Sequence, residues 1–429
     1  MSPEPRPEDC GPSMLTMKQF SRRSFLSAVA GAAVPAWLAN FHQLGAAHYN
    51  KVKITDIKTM MLQGPRSYTL VRIDTDAGVS GMAEAYGSPG LGVREEIHGL
   101  KETFIGKDPL QIDRLYTGYR YTDGSAHAQQ RAMSGIEMAL WDLAGKLLDV
   151  PTHVLLGGKF RDKVRLYDHS RPRSFFDKAV LRDWAQQVKE APNGITMHKF
   201  GPLRNRPGDD PGRDPSNRML STDEVLRIRQ GYENCREALG FEHDILIGCH
   251  WEFDLRSAIE FAEALADVKP KFLEDPLPVA YSESWKRLAN MSPVPICTGE
   301  NWMRRAEALP FIVNAAVDII HPDLRNSGGF LENKRMADLA DLYFLPVANH
   351  NTGSIVNGMA TIHWASTIRD YFACETVFFD RTWMDDVIVH DQPLCQDGFV
   401  TVPDKPGLGI ELDPDVVKAH LSEGESWWG

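Results

Sequence analysis

The hydrophobic pattern changes twice along the chain. Between residues 51 and 86 apolar and polar positions alternate: Val52, Ile54 and Ile57 come first, then Thr69-Leu70-Val71-Arg72-Ile73. The turn Asp76-Ala77-Gly78 and a second alternating run, Val79 to Ala85, follow. Strand, Asp/Gly turn and strand predict a hairpin. From Gly92 to Leu156 the period lengthens. Ile136, Ala139, Leu140 and Leu143 share one helical face, so residues 48–163 read as an α+β unit.

From Val164 onward short apolar runs recur, each followed by a helical stretch. Strands are expected at 164–169, 195–200, 244–250, 271–275, 295–300, 317–322, 344–350 and 371–375. Lys199, Gly248, Glu274, Glu300, Asp323, His350 and Glu375 mark their C-terminal ends, the later ones roughly every 25 residues. Repeated strand–helix units of this size imply a parallel sheet, and eight of them a closed (β/α)8-type barrel over 164–376. A doubly wound open sheet is the alternative. Polar residues at so many strand ends favour the barrel, in which those ends converge. Residues 377–429 read as strand and turn, without a further barrel unit.

The first 47 residues look like an address. Ser21-Arg22-Arg23-Ser24-Phe25-Leu26 precedes a short apolar, small-residue stretch and Gly45-Ala46-Ala47. The arginine pair resembles a twin-arginine export signal, which places the mature protein in the periplasm or outside. A basic amphipathic helix of the folded protein is the alternative.

Composition narrows the function. The chain has 429 residues and a net charge of −11, without a basic cluster after residue 50, which argues against nucleic acid as partner. No apolar run reaches the length of a membrane span. Six cysteines without a CxxC pair exclude a zinc ribbon. The five outside the leader are expected buried and reduced.

The strand-end residues suggest chemistry. Glu274 and Glu300 close neighbouring strands, where two carboxylates repel unless a cation stands between them, and Mg²⁺ suits oxygen ligands. An ion pair with a barrel Lys or Arg is the competing reading. Asp323 behind His350 makes a general-base candidate. Lys199 is a candidate base, acid or carboxylate clamp. Glu375, with a raised pKa, could donate to a substrate oxygen. His250 follows Gly248 by two residues and is a candidate general acid. Loop 201–219, rich in Gly, Pro, Asp and Arg, is expected on the catalytic face as a lid or an insertion.

In this order the residues resemble the enolase superfamily, mandelate racemase / muconate lactonizing subgroup. The similarity covers Gly78-Val79-Ser80-Gly81, Gly135 to Lys146, Leu155-Leu156-Gly157-Gly158, Leu273-Glu274-Asp275-Pro276, Gly299-Glu300-Asn301-Trp302, Pro322-Asp323 with Gly328-Gly329, His350 and Pro406-Gly407-Leu408-Gly409. The resemblance implies a modified (β/α)7β TIM-like barrel under an α+β N-terminal capping domain. It implies a Mg²⁺ site and removal of the proton α to a carboxylate, through an enediolate. It implies Glu274 and Glu300 as metal ligands, His350 as base, Asp323 as its partner and Glu375 as electrophilic acid. Asn301 and Trp302, with Tyr86, would line the substrate pocket. It further implies a small carboxylate substrate and a homo-oligomer.

Two departures stand out. Gly248 occupies the position where the family carries its first metal ligand, an Asp. Met197-His198-Lys199 offers one lysine where Lys-x-Lys is usual, which weakens a two-base racemase. His350 as base and His250 as acid fit a sugar-acid dehydratase giving a 2-keto-3-deoxy acid. Racemisation or epimerisation of a 2-hydroxy acid, and carboxylate binding without turnover, are the alternatives.

Overall fold

The computed structural model describes residues 48, 50–87, 92–118, 126–201, 217–376 and 383–428. The expected export signal and most of the 201–219 loop lie outside these residues. Among the described residues, no helix is long and apolar enough to cross a membrane.

Residues 54–85 form an antiparallel meander, β1 (Ile54–Gln63), β2 (Ser67–Thr75) and β3 (Ser80–Ala85). The Asp76-Ala77-Gly78 turn links β2 to β3, with Gly78 at φ 72°. Helices α1 (Val93–Phe104), α2 (Ile112–Thr117), α3 (Ala126–Leu148) and α4 (Thr152–Leu155) follow. The long α3 lies across the meander. At Gly81 a Cβ would stand 2.3 Å from the carbonyl oxygen of Ala139, so only glycine permits the approach.

Eight parallel strands then close a barrel: β4 (Lys163–Tyr167), β5 (Met197–Phe200), β6 (Asp244–Gly248), β7 (Leu273–Glu274), β8 (Ile296–Thr298), β9 (Ile319–Ile320), β10 (Val347–Asn349) and β11 (Tyr371–Glu375). Neighbours pair in chain order, and β4 returns to β5 through the parallel bridge Asp168↔His198. The following helices are α5 (Lys178–Lys189), α6 (Thr222–Leu239), α7 (Leu255–Ala264), α8 (Glu283–Met291), α9 (Arg305–Val313), the short α10 (Leu324–Ser327) with α11 (Gly329–Asp341), and α12 (Ile355–Ser366). No helix of this kind follows β11 among the described residues, giving the (β/α)7β arrangement. Local chemistry starts these helices where the chain leaves a strand. Asp177, Asp254 and Ser354 accept from backbone amides of the first turn, and Ser221 with Glu224 makes a reciprocal capping box.

Most strands are shorter than their apolar runs suggest, while β11 has the expected bounds, and Lys199, Glu274 and Glu375 lie within the paired residues. Within the barrel each strand contributes one buried side chain to a plug: Tyr167, Met197, Leu246, Phe272, Cys297, Ile319, Ala348 and Ala373. Strand side chains alternate, so the next inward layer lies two residues further on. That layer is His169, Lys199, Gly248, Glu274, Gly299, His321, His350 and Glu375. The apolar plug thus forms the floor of a polar chamber at the C-terminal end. By the same alternation Cys249 faces outward into the core between strands and helices. All five described cysteines are free and buried.

After the barrel, β12 (Cys395–Gln396) and β13 (Phe399–Thr401) form a hairpin that pairs antiparallel with β4. The chain then passes α13 (Pro414–Ala419) and bridges β1 through Leu421↔Leu62.

Candidate active site

Asp323 caps α10 and accepts from the Arg325 amide, which fixes its carboxylate at the barrel mouth. Its Oδ2 accepts from Nδ1 of His350 at 2.8 Å. Arg325 donates to the same carboxylate at 2.8 Å and to Glu84 of β3 at 2.9 Å. Glu84, completely buried, also accepts from the Ser354 amide and hydroxyl. A chain of alternating charge, Glu84–Arg325–Asp323–His350, therefore joins the cap to the expected base. Arg325 and His350 together hold the Asp323 carboxyl well below its usual range despite burial.

Nε2 of His350 points toward Glu300, 3.5 Å from Oε2. Burial alone would lower its pKa. The charges of Glu300 and Glu375, helped by Asp323, outweigh that and raise it to about 10.

Glu274 has Lys199 Nζ at 2.7 Å and His321 Nδ1 at 3.0 Å. Each oxygen thus faces one nitrogen, Oε2 the ammonium and Oε1 the imidazole. Oxygens of Glu274, Asp275 and Glu300 all lie within 4.8 Å of one another. Burial and the charges of Glu300 and Glu274 push the Asp275 carboxyl well above its usual range. The orphaned Oδ2 of Asp275 and the crowded negative charge suit a hard divalent cation, so the residues present fit Mg²⁺. Gly248 stands beside them, as the sequence register requires. A Cβ there would lie 3.2 Å from Oε2 of Glu274 and 3.4 Å from Cε1 of His250. A longer side chain at 248 would project into the site, and none is present.

His250 reaches this place by a route that alternation does not describe. The strand has ended, and His250 and Trp251 both adopt left-handed backbone, φ 52° and 61°. The reversal folds the exposed imidazole of His250 back over Gly248. Positions of this kind persist only where the surroundings enforce them, and they cluster at functional sites.

Three expectations change, those for Lys199, Glu375 and Tyr86. Lys199 is not a free base: it is a buried ammonium between Glu274 and Glu375, 2.7 and 2.5 Å away. Burial would lower its pKa, but those carboxylates override it and hold the proton. Glu375 is not a neutral acid. Burial would raise its pKa, yet Lys199, His350 and His169 keep it an ionised carboxylate, which accepts from the Asn351 amide at 2.9 Å. Tyr86 is held between Arg131 and Arg325, 4.4 and 4.7 Å from its ring, a layer behind Asp323. Trp302 is buried against Phe311. With Asn301 it forms one wall of a mostly apolar cavity of about 730 Å³ that also involves His127, Trp251 and Tyr281.

The sequence reading missed His321, His169, Asp275 and the Glu84–Arg325 pair. His321 lies in the polar layer, donating to or accepting from Tyr167 Oη at 2.6 Å, and His169 bonds Glu375. Counting two residues on from each plug residue would have found both histidines.

The comparisons agree with this architecture. The model described as enolase C-terminal domain-like matches residues 183–416, and that for the mandelate racemase / muconate lactonizing enzyme N-terminal domain matches residues 51–157. A D-xylonate dehydratase of Haloferax volcanii is 38% identical over 384 residues, 87% of this chain and 90% of that protein. A D-gluconate dehydratase of Thermoproteus tenax is 28% identical over 362 residues, 82% and 70% of the two chains. The crystal structure of a mandelate racemase/muconate lactonizing enzyme-like protein from Rubrobacter xylanophilus superposes with a TM-score of 0.81 at 31% identity, covering 88% of this chain and 99% of that one. On its cap, its closed barrel and these matches, the chain belongs to the mandelate racemase / muconate lactonizing enzyme family of enolase-like proteins.

Proposed function

We propose that the protein is a Mg²⁺-dependent acid-sugar dehydratase that converts a sugar acid to a 2-keto-3-deoxy acid. The observation that carries this reading is an imidazole in the neighbourhood of each of the paired glutamates. His350 Nε2 is 3.5 Å from Glu300, and His250 and Glu274 both border the space beside Gly248.

The chemistry follows from that placement. Nδ1 of His350 is occupied by Asp323, so Nε2 is the atom that takes the proton from the carbon α to the substrate carboxylate. The C–H electron pair moves into the carboxylate, giving an enediolate. Its collapse expels the hydroxyl from the β-carbon, and His250 protonates that hydroxyl so that it leaves as water. The resulting enol tautomerises to the α-keto acid. Glu274, Glu300 and a further oxygen ligand would hold Mg²⁺, which supplies positive charge facing the substrate carboxylate and offsets the carboxylates that keep His350 protonated. Lys199 holds Glu274 and Glu375 in place as a fixed counter-charge.

The named relatives support the substrate class: they are dehydratases of D-xylonate and D-gluconate. Lys199, locked as an ammonium, supports one-base elimination over two-base racemisation. Gly248 favours a second reading, carboxylate binding without turnover. A screen of C5 and C6 sugar acids with Mg²⁺, read as α-keto acid formed, decides between these. Product that appears with wild type and vanishes with His350→Asn supports the dehydratase. Inversion of the α-carbon without keto acid would support an epimerase, and no reaction with any acid would leave the binding reading. We further infer that the Arg22-Arg23 segment exports the chain through the twin-arginine route and that the folded protein assembles as a homo-oligomer.

A further inference from the structure

We propose that Asp275 supplies the third carboxylate that Gly248 does not, so that the cation is held by Glu274, Asp275 and Glu300. The inference rests on the functional reading above and deepens it. Three observations place Asp275 in that role.

The first is distance: oxygens of the three acids lie within 4.8 Å of one another. The second is a missing partner. Asp275 is 2% exposed, and its Oδ2 receives no hydrogen bond, while Oδ1 is held by the Thr298 hydroxyl. A buried carboxylate oxygen left without a donor costs far more than a satisfied one, and a cation removes that cost. Glu274 differs: its oxygens face the Lys199 ammonium at 2.7 Å and the His321 ring at 3.0 Å. The third is the shape at Gly248. With no side chain at 248, β6 sends nothing toward Oε2 of Glu274, and the nearest groups to that space are Oε2 itself and the His250 imidazole. Glu274 at the end of β7, Asp275 just past it and Glu300 just past β8 would then do what three separate strands would otherwise do. The face toward β6 stays available to water or to a substrate oxygen, which suits a cation that keeps several non-protein ligands.

Calorimetric titration of the purified protein with Mg²⁺ alone tests this, because it reads binding whether or not any sugar acid is turned over. Asp275→Asn keeps the size of the side chain and the Thr298 contact but removes the charge. It is expected to weaken Mg²⁺ by at least about tenfold, the scale on which altering a metal's surroundings acts. Gly248→Asp provides the second arm, independent of how Asp275→Asn folds. If three carboxylates are already present, a fourth improves affinity by less than about tenfold. In the double variant Gly248→Asp/Asp275→Asn, affinity is expected to return toward wild type. Asp275→Asn binding as wild type, a gain of a hundredfold or more from Gly248→Asp alone, or no Mg²⁺ binding by wild type would each overturn the proposal. Only the last of these also removes the Mg²⁺-dependent reading of function. The first two leave that reading standing with a different ligand set.

Discussion

Asp323 serves two partners at once: its carboxylate caps α10, and its Oδ2 accepts from Nδ1 of His350 at 2.8 Å. The helix start and the base are therefore one structural unit, and Arg325 ties that unit to Glu84 in the cap. Replacing Asp323 by Asn keeps the size but removes the charge that orients the ring. Turnover is expected to fall by about 10²–10⁴-fold, the scale of losing a positioned proton-transfer group. Mg²⁺ affinity is expected to stay within a few-fold, since Asp323 lies outside the cation cluster. Steady-state rates with Mg²⁺ calorimetry check both halves, and equal losses in both would mean that Asp323 supports the whole mouth.

The protonation of His350 is set chiefly by Glu300 and Glu375, which raise its pKa to about 10 against the effect of burial. Without Mg²⁺ the ring is then cationic at neutral pH and cannot accept a proton. A cation beside Glu300 offsets that charge, so the pKa is expected to fall when Mg²⁺ is added. Following the His350 ring protons by NMR across pH 6–11, with and without Mg²⁺, measures this directly. A titration midpoint that does not move downward would show that the cation sits elsewhere.

His250 should act after His350. If it protonates the departing hydroxyl, His250→Asn removes elimination but leaves α-proton abstraction. Incubation with a substrate in D₂O is expected to exchange the α-proton while keto-acid formation drops by about 10²-fold or more. Loss of exchange and elimination together would place His250 in the first step or in binding.

Much of this site is legible from strand periodicity alone. Lys199, Gly248, Glu274, His350 and Glu375 each stand two residues beyond an apolar plug residue, so one register rule locates all five. The rule also yields His321 and His169, just past the ends of β9 and β4. Other features have no local signal. Arg325 meets Glu84 across 241 positions of sequence, and nothing near either residue announces the pairing. The charge state of Lys199 and Glu375 depends on which carboxylates end up around one ammonium, a tertiary outcome. His250 reaches the site through two left-handed residues that are not glycine, a conformation that local propensity argues against.

Away from the site, Glu137 of α3 makes a stability prediction with a definite sign. Its buried carboxylate accepts from the Phe330 and Leu331 amides at the start of α11, at 2.7 and 3.0 Å, and from the Trp141 indole. Burial exceeds those bonds and raises its pKa from 4.5 to about 7. Between these values the folded chain binds a proton that the unfolded chain has lost, so this group's contribution to stability falls as pH rises through about 7. Below about 4.5 both states are protonated, and above about 7 the decline stops. At roughly 1.4 kcal/mol per unit the shift amounts to about 3 kcal/mol. Urea unfolding at pH 5 and pH 8 is therefore expected to show a drop in wild type that Glu137→Gln reduces by up to that amount. Gln remains neutral throughout, so only the slope is diagnostic, because the variant also loses part of the α11 cap. An unchanged slope would mean that the three donors keep Glu137 ionised in the folded protein, and that capping outweighs burial at this helix junction.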